Sequence, residues 1–418
     1  MLSSLKKHPV TESARYLLCW TVFSLLAGGL GGLIGGAFGW CIRRVTALRA
    51  DHPWMIFLLP LCGLLTVFLY RVTGEENKRG INAVFASISA KETISKPAGP
   101  VIFASSVLSH LGGASVGREG AALQMGGWLG ARLGELVKLD EKNTHAAVMC
   151  GMAAVFAALF GTPVAAAVFC IEVISVGQFY YAALVPCIFS AFIGTGVSRL
   201  LGGEAESWII LTVPEMDVRS LLLTVLLGIL CAGMAILLVV VLHGAEKQTK
   251  KWLPDPYIRA AATGILIALL VFLTDGRRFT GAGTELISSA LNEQVDPTAF
   301  LLKLLFTAIA VAGGFRGGEI VPTLSIGACF GALFGSLCGL PVSLSAACGM
   351  IALFAGATNC PVASLLIAME MFHGKGLPFF AVTVSLSFAL SGYYSLYGQQ
   401  RFAYSKLKME YLGARKDK

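Results

Sequence analysis

The chain has 418 residues, of which 56% are hydrophobic and only 13% are charged. Soluble domains carry roughly 25% charged residues, so this composition excludes a disordered chain, a coiled coil and an ordinary soluble enzyme, and it indicates a polytopic membrane protein. The net charge of +8 comes from basic residues in short polar segments and near both ends, which is typical of orientation signals and does not indicate nucleic-acid binding.

Apolar stretches follow one another along most of the chain. Some are too short to cross about 30 Å of hydrocarbon, whereas others exceed the ~20 residues that a crossing needs. This unevenness predicts an all-α membrane fold with tilted and re-entrant helices around an internal site. The expected stretches are 16–40, 54–71, 99–112, 120–138, 146–174, 179–202, 218–243, 257–274, 299–313, 320–340, 344–372 and 377–397.

The expected organisation is a single transmembrane domain over residues 16–400. A polar, basic segment over residues 1–15 is expected to precede it in the cytoplasm. Residues 401–418 are expected to form a short basic cytoplasmic tail, with no soluble regulatory domain. The eleven cysteines lie mostly alone within apolar runs and show no metal-binding spacing, so we interpret them as small apolar packing residues.

The first apolar stretch carries two series of glycines at four-residue spacing. One series is Gly28, Gly32 and Gly36, and the other is Gly31, Gly35 and Gly39. Small residues at this spacing let helix backbones approach closely. No Gly-Lys-Ser/Thr follows them, so a phosphate-binding loop is not indicated.

An internal repeat divides the chain into halves of about 16–203 and 218–400. GMAAVFAALFGTPVAAAVFCIEV at 151–173 and GMIALFAGATNCPVASLLIAMEM at 349–371 share nine of 23 residues without a gap. In transporters such halves often have inverted topology and form the substrate site between them. The repeat therefore predicts two structurally related halves of opposite orientation.

The segment GGASVGREGAALQMGGWLG at 112–130 places charges in a nearly charge-free region. Glycines Gly117 and Gly120 surround Arg118 and Glu119 just before an apolar run, which predicts a loop that enters a helix N-terminus. Free N–H groups at such a terminus bind anions. Glu119 is then expected to compete with an anion for this position, bound when ionised and released when protonated; the alternative is a structural cap or a pair with Arg118.

The second half offers a similar entry in GGFRGGEIVPTLSIGACFG at 313–331. Gly317 and Gly318 are expected to present backbone amides to the same ion. Glu319 is a second carboxylate candidate, with a structural cap as the alternative. Arg316 is expected to be an electrostatic helper or a loop anchor and not a ligand, because a full charge would hold an ion too tightly for rapid passage.

A third glycine-led entry and a tyrosine complete the candidate site. Gly80, Ile81 and Asn82 precede a short apolar stretch, and either their amides serve the anion or they form a plain turn. Tyr397, in SGYYSLYGQQR, can donate a hydrogen bond without a fixed charge, although an interfacial aromatic belt is the alternative. His110 precedes the 112–130 segment and is either a packing residue or a proton carrier.

These motifs resemble the CLC family of chloride channels and proton-coupled halide antiporters. The resemblance rests on GREG at 117–120, GGEIVP at 317–322, the paired helices that end in IEV and MEM, and LYG near the end, and it covers about 16–400. It implies a homodimer with a separate anion pathway in each subunit. It also implies that Glu119 is the gating glutamate, that Tyr397 rather than Tyr404 is the central tyrosine, and that Ile320 and Val321 belong to the anion-binding loop.

Several departures from the common family pattern leave the transported ion open. The family's GSGIP loop is absent, with RGIN at 79–82 near its place, and Val173 stands where many proton-coupled members have an inner glutamate. Together with Glu319, these departures are similar to the fluoride-exporting branch. Val321 and Ile81 nevertheless stand where that branch often has a hydroxyl residue and a methionine. Chloride and fluoride therefore both remain candidates.

The sequence thus predicts halide transport, as anion/proton antiport, with a passive chloride channel of the same fold as the alternative. The expected partners are a halide ion, protons, the lipid bilayer and a second copy of the chain. The expected location is a bacterial inner membrane, with both termini in the cytoplasm. No cofactor is expected, and the absence of a nucleophile–base pair or a metal-ligand pair gives no support for an intramembrane enzyme.

Overall fold

The computed structural model describes residues 9–76, 80–89 and 93–415. Within them, seven helices are long and apolar enough to cross a membrane, and six further apolar helices have 10–17 residues. This mixture of full and short helices confirms the predicted architecture. The α-helices are α1 Pro9–Asp51, α2 Leu59–Val72, α3 Ile81–Ser89, α4 Ala98–Gly112, α5 Glu119–Leu136, α6 Glu141–Phe160, α7 Pro163–Glu172, α8 Leu184–Leu200, α9 Val218–Trp252, α10 Pro256–Thr274, α11 Thr284–Leu291, α12 Ala299–Gly313, α13 Ile320–Cys338, α14 Val342–Thr358, α15 Pro361–Met371 and α16 Leu377–Leu390.

Helices α1–α8 and α9–α16 form two halves with matching element order. The starts of α5 and α13 differ by 201 positions (119 and 320), and those of α6 and α14 also differ by 201 (141 and 342). Helices α7 and α15 run antiparallel, because the last residues of each lie at the first turn of the other. These observations confirm the predicted inverted repeat. An extended linker over 201–217 joins the halves.

The two glycine series of α1 contact two different helices, as close packing requires. A Cβ at Gly32 would lie 2.6 Å from the Val197 Cβ of α8. A Cβ at Gly31 would lie 2.6 Å from the Ala154 Cβ of α6. Each series therefore forms a groove for one neighbour, and the predicted packing role is confirmed.

Two apolar stretches that were predicted as continuous are each divided into two helices. The stretch 146–174 contains the end of α6 and all of α7, and 344–372 contains most of α14 and all of α15. The residues after α6 and α14, Gly161 and Asn359, have left-handed φ values of 77° and 59°. Proline follows at the first position of the next helix, where its missing N–H has no cost. These residues end one helix and start another within a single apolar run.

The prediction of an α-helical membrane fold is confirmed, and the described part of the tail adds a small three-stranded sheet to it. Ser175–Val176 (β1) pairs in parallel with Arg401–Tyr404 (β2), which pairs antiparallel with Tyr411–Arg415 (β3). Phe402 and Ala403 are buried. The tail therefore packs on the end of α7 by strand pairing, which satisfies its backbone groups.

Helix α1 begins at Pro9, within the expected N-terminal segment 1–15, whose cytoplasmic location stays a prediction. Residues 1–8 of that segment and residues 416–418 of the tail lie outside the described residues. Helix α1 has 43 residues and is about 65 Å long, which is well beyond the hydrocarbon thickness. The helix thus extends outside the apolar layer.

Candidate functional site

The two predicted glycine loops meet at the N-termini of α5 and α13. The Gly117 N–H donates to the Gly318 carbonyl at 2.6 Å, and the Gly318 N–H donates to the Gly117 carbonyl at 2.8 Å. Each loop thereby fixes the other. The expectation that the Gly117 and Gly318 amides face an ion is corrected by this geometry, because both N–H groups are already engaged.

Close backbone approach explains why both loops need glycine. A Cβ at Gly120 would lie 2.7 Å from the Gly318 Cα, and a Cβ at Gly317 would lie 2.7 Å from a Val116 methyl carbon. Real Cβ atoms do not lie this close to other atoms. The neighbouring atoms here belong to the backbone or to a packed side chain, so they cannot easily move away. The glycines therefore bring the two helix N-termini together.

Glu119 is fully buried at the first turn of α5. Its Oε2 accepts a hydrogen bond from the Arg118 backbone N–H at 3.0 Å, and its Oε1 accepts one from Arg118 Nε at 3.3 Å. The carboxylate thus folds back onto the helix N-terminus, where the helix dipole favours negative charge. The pair with Arg118 that the sequence offered as an alternative is therefore present, whereas competition between Glu119 and an anion stays a prediction.

A cleft of about 740 Å³, here called the tyrosine cleft, opens on one side of Glu119. It brings together residues from all three glycine-led segments and the chain after α16. Its lining includes charged and titratable side chains, among them His243, Glu246, Arg259 and Arg316. The predicted site residues on its wall are Gly80, Ile81, Asn82, Gly120, Gly317, Gly318, Glu319 and Tyr397.

Tyr397 lies in the wall of the tyrosine cleft with only 3% of its surface exposed. Its ring packs edge-on against Phe85, and its hydroxyl has no hydrogen-bond partner among the described residues. Tyr404 instead lies in β2, is 47% exposed and packs on Tyr411. Tyr397 therefore lies buried beside the helix N-termini, whereas Tyr404 lies at an exposed strand position, and the role of Tyr397 as the central tyrosine stays a prediction.

The turn that carries Tyr397 is held by a buried glutamine. Gln400 Nε2 donates to the carbonyls of Val173 and Thr358, both at 2.8 Å, and its Oε1 accepts from Asn359 Nδ2 at 3.0 Å. The Leu396 N–H adds a bond to α14. These contacts fix the turn without a helix, which explains why a residue after α16 reaches the site.

Asn82 and Gly80 also line the tyrosine cleft. The Asn82 Oδ1 accepts from the Gln399 N–H at 3.1 Å, which orients the side-chain amide. Gly80 has a φ of +57°, so a left-handed turn starts α3. Arg79, the first residue of the RGIN segment, lies outside the described residues.

Glu319 precedes α13 and lines the tyrosine cleft. Its backbone carbonyl accepts from both the N–H and the hydroxyl of Thr323, so its position is fixed by the first turn of the helix. The guanidinium carbon of Arg316 lies 4.2 Å from the centre of the Tyr70 ring, and the Arg316 backbone N–H donates to Ser109 Oγ. Arg316 thus anchors the loop, as the sequence predicts. The next residues, Ile320 and Val321, are buried at the start of α13.

A second cleft of about 590 Å³, here called the arginine cleft, opens on the other side of Glu119. Arg118 lines it, whereas Gly120 lines the tyrosine cleft, so Glu119 lies between the two. His110 also lines it and is buried; Nδ1 bonds the Ser106 carbonyl at 2.8 Å, and Nε2 has no partner among the described residues. Both the packing and the proton-carrier interpretations of His110 therefore remain.

Sequence reasoning missed two acidic residues. Glu206, on the linker, receives a hydrogen bond from Arg118 Nη2, and Glu246, on α9, lines the tyrosine cleft near Glu319. No local motif marks either residue, because each is brought to the site only by tertiary structure. At Val173 the structure has a fully buried apolar side chain, so no carboxylate stands at that position.

The described residues contain no cluster of three or more His, Cys, Asp or Glu side chains suited to a metal ion. The site residues themselves supply hydrogen-bond donors, charged groups and carboxylates. Peptide N–H groups at the helix N-termini, a phenol and an amide can bind an anion, and carboxylates can exchange protons.

A sequence model described as "Voltage gated chloride channel" matches residues 62–392. The chain is 31% identical over 412 residues to a "Chloride/fluoride channel protein" of Pseudomonas syringae pv. tomato, covering 97% of this chain and 91% of the relative. It is 27% identical to an "H(+)/Cl(-) exchange transporter ClcA" of Vibrio cholerae, covering 85% and 82%.

Solved structures share the fold. A crystal structure of a CLC-type fluoride/proton antiporter superposes with a TM-score of 0.89 at 33% identity, covering 92% of this chain and 98% of the other. A slow cyanobacterial Cl⁻/H⁺ antiporter superposes with a TM-score of 0.77 at 21% identity, covering 89% and 94%. At that identity the second likeness supports the fold alone.

Proposed function

Because the chain belongs to the voltage gated chloride channel family, we propose that it is a membrane transporter that exchanges a halide ion for protons. The fluoride/proton antiporter and the H⁺/Cl⁻ exchange transporter are exchangers by title or name, although the Pseudomonas relative is named a channel protein. This supports exchange over the passive channel.

The observation that carries the mechanism is the position of the Glu119 carboxylate. It is fully buried between the two clefts and accepts the Arg118 N–H at the start of α5. When ionised, the carboxylate occupies the place that an anion would take at this terminus. When protonated, it loses most of its attraction to the helix dipole and to Arg118, so a halide can replace it. Each proton that binds Glu119 thereby opens the position to a halide ion, which couples the two movements.

The halide is expected to bind between the N-terminus of α13 and Tyr397. The first N–H groups of α13, at Ile320 and Val321, have no partner within the helix. The buried Tyr397 hydroxyl lies in the same region, and the oriented Asn82 amide supplies a further donor. Partial charges of this kind bind an ion without trapping it.

Glu319 is the residue best placed to pass protons between Glu119 and the tyrosine cleft. It lines that cleft directly after the glycine pair that contacts the GREG loop. Val173 offers no carboxylate for this step. A Glu319→Gln variant should therefore slow proton movement more than halide movement.

Fluoride is the halide that we expect the chain to prefer. The structure of the fluoride/proton antiporter is 33% identical, whereas that of the Cl⁻/H⁺ antiporter is 21% identical. The family's usual serine is also absent near Gly80. Chloride transport in preference to fluoride would contradict this assignment without contradicting exchange.

In the membrane, we expect a homodimer with both termini in the cytoplasm of a bacterial cell. Helix α1 then ends on the opposite side, so the arginine cleft, which Arg43 and Arg49 of α1 line, faces outward. Exposed apolar residues on α8 and α15, including Phe189, Phe192 and Met369, offer a face for the second copy. Cross-linking in membranes would test the dimer.

The experiment uses purified protein in liposomes loaded with either fluoride or chloride. Halide efflux and external pH are recorded together, without a pH gradient at the start. The wild-type protein should move protons inward, and so build a pH gradient, in proportion to halide efflux, and Glu119→Gln should move halide without protons. Proton movement unchanged in Glu119→Gln, or halide efflux without protons in the wild type, would overturn the mechanism.

A further inference from the structure

Arg118 holds two carboxylates with one guanidinium. Its Nε donates to Glu119 Oε1 at 3.3 Å, and its Nη2 donates to Glu206 Oε1. The Arg118 and Glu206 side chains are only 13% and 18% exposed. The three side chains therefore form a nearly buried group with two negative charges and one positive charge.

The linker backbone is fixed where it presents Glu206. The Glu206 N–H donates to the Phe160 carbonyl at 3.0 Å, and the Trp208 N–H donates to the Met371 carbonyl at 3.1 Å. Gly161 has a φ of +77°, and a Cβ there would overlap Ala205, the residue before Glu206. The position of Glu206 thus depends on packed backbone and not on a flexible side chain alone.

We propose that Glu206 is a positioning residue that shares Arg118 with Glu119 and thereby sets the pH at which Glu119 leaves the anion position. The proposal rests on the proposed exchange mechanism. An ionised Glu206 takes part of the attraction of Arg118 and repels the Glu119 carboxylate. Without that charge, Arg118 holds the ionised Glu119 more tightly, and release needs a higher proton concentration.

Other charged and titratable groups also face this cluster across the arginine cleft. The basic groups outnumber the acids, and His110 contributes an imidazole. A His110→Gln variant measures the imidazole contribution separately. The groups are Arg43 and Arg49 of α1, His110 of α4, Glu204 of the linker, Arg277 and Arg278 after α10, and Glu285 of α11.

The test compares pH profiles of halide/proton exchange for the full-length protein and Glu206→Gln, which keeps the side-chain shape. The Gln variant should show its half-maximal rate at a pH lower by about 0.5–1 unit, and a rate roughly three- to tenfold lower at neutral pH, with an unchanged maximum in acid. Glu206→Asp should recover part of the shift. Gly161→Ala should reproduce it by displacing the linker.

Glu204→Gln is the matched control, since Glu204 is exposed on the same linker and lines the same cleft. It should keep the wild-type profile. An unshifted Glu206→Gln profile, or a rate lowered equally at every pH, would overturn the proposal. Calorimetric titration of fluoride into the detergent-solubilised protein across the same pH range gives a second readout. This titration measures the pH dependence of anion binding even when the wild-type protein moves no protons. Failure of this inference is thereby distinguished from failure of the proposed function.

Discussion

Glu172 and Glu370 cap each other's helices. The Glu172 carboxylate, at the end of α7, accepts the N–H groups of Val362 and Ala363 at 3.1 and 2.8 Å in the first turn of α15. The Glu370 carboxylate, near the end of α15, accepts those of Val164 and Ala165 at 3.1 and 2.8 Å in the first turn of α7. The one glutamate that the two repeated segments share thus makes the same contact in both halves.

Loss of either cap should destabilise the fold. Glu172→Gln and Glu370→Gln each remove the negative charge at a helix N-terminus and one of two acceptors, at an expected cost of about 1–2 kcal/mol in the free energy of unfolding. Thermal unfolding in detergent should show the loss. Glu135→Gln, in an exposed pair with Arg132, is the control and should change little. Equal melting temperatures for all three variants would contradict the capping role.

Removal of the Tyr397 hydroxyl should weaken anion binding while the fold is kept. Tyr397→Phe deletes a buried donor that has no partner among the described residues, so the stability should stay equal or rise slightly. The halide affinity should fall by roughly five- to tenfold, equivalent to about 1 kcal/mol for one hydrogen bond. Calorimetric titration of fluoride measures this change. Tyr404→Phe serves as the control, and an equal effect of both variants would be incompatible with the assignment.

The contact between the two glycine loops should not tolerate a methyl group. Gly120→Ala places a Cβ about 2.7 Å from the Gly318 Cα, where neither backbone can move without breaking the Gly117–Gly318 pair. The variant should lose exchange activity and melt at a lower temperature. Gly233→Ala in α9, where nothing lies within 4 Å, should be neutral or stabilising by up to about 1 kcal/mol. A fully active Gly120→Ala protein would show that the loops need not meet.

Lys303 should be needed for the loop that precedes GREG. Its fully buried Nζ donates to Ser115 Oγ at 2.9 Å and to the carbonyls of Phe279 and Gly281 at 3.1 and 2.7 Å. Lys303→Met keeps the length of the side chain but leaves these acceptors without a donor, at an expected cost of about 2–4 kcal/mol.

Thermal unfolding and the yield of folded protein measure the effect of Lys303→Met. Lys375→Met, at an exposed lysine, is the matched control and should resemble the wild type. If the two variants melt at the same temperature, Lys303 does not stabilise the loop.

The sequence predicted the fold where local chemistry determines it. Apolar length predicted the membrane helices, and the repeated residues of 151–173 and 349–371 predicted the paired halves. The breaks at Pro163 and Pro361 were missed although the sequence carries a signal, a glycine or an asparagine followed by proline two positions later. In the structure that glycine and that asparagine are left-handed. Hydropathy alone hid them, since both sides of each break are apolar.

The sequence predicted the site only in part, because hydrogen bonding between distant segments decides the rest. The approach of Glu119 to a helix N-terminus followed from glycines before an apolar run. The mutual engagement of Gly117 and Gly318 could not follow, since it depends on the register between two loops 201 residues apart (117 and 318). Glu206 was missed for the same reason. The strand pairing of the tail depends on β1, two residues that no pattern distinguishes from a loop.

The pair of hydrogen bonds between Gly117 and Gly318 has a consequence for the ancestry of the fold. Each glycine gives the other the same donor and acceptor, so the contact is self-complementary, like those at a two-fold axis between identical subunits. A single half, inserted into the membrane in both directions, could make both bonds with its own copy. The closed loops therefore require no difference between the halves, which diverge at the next residue, Arg118 in the first half and Glu319 in the second.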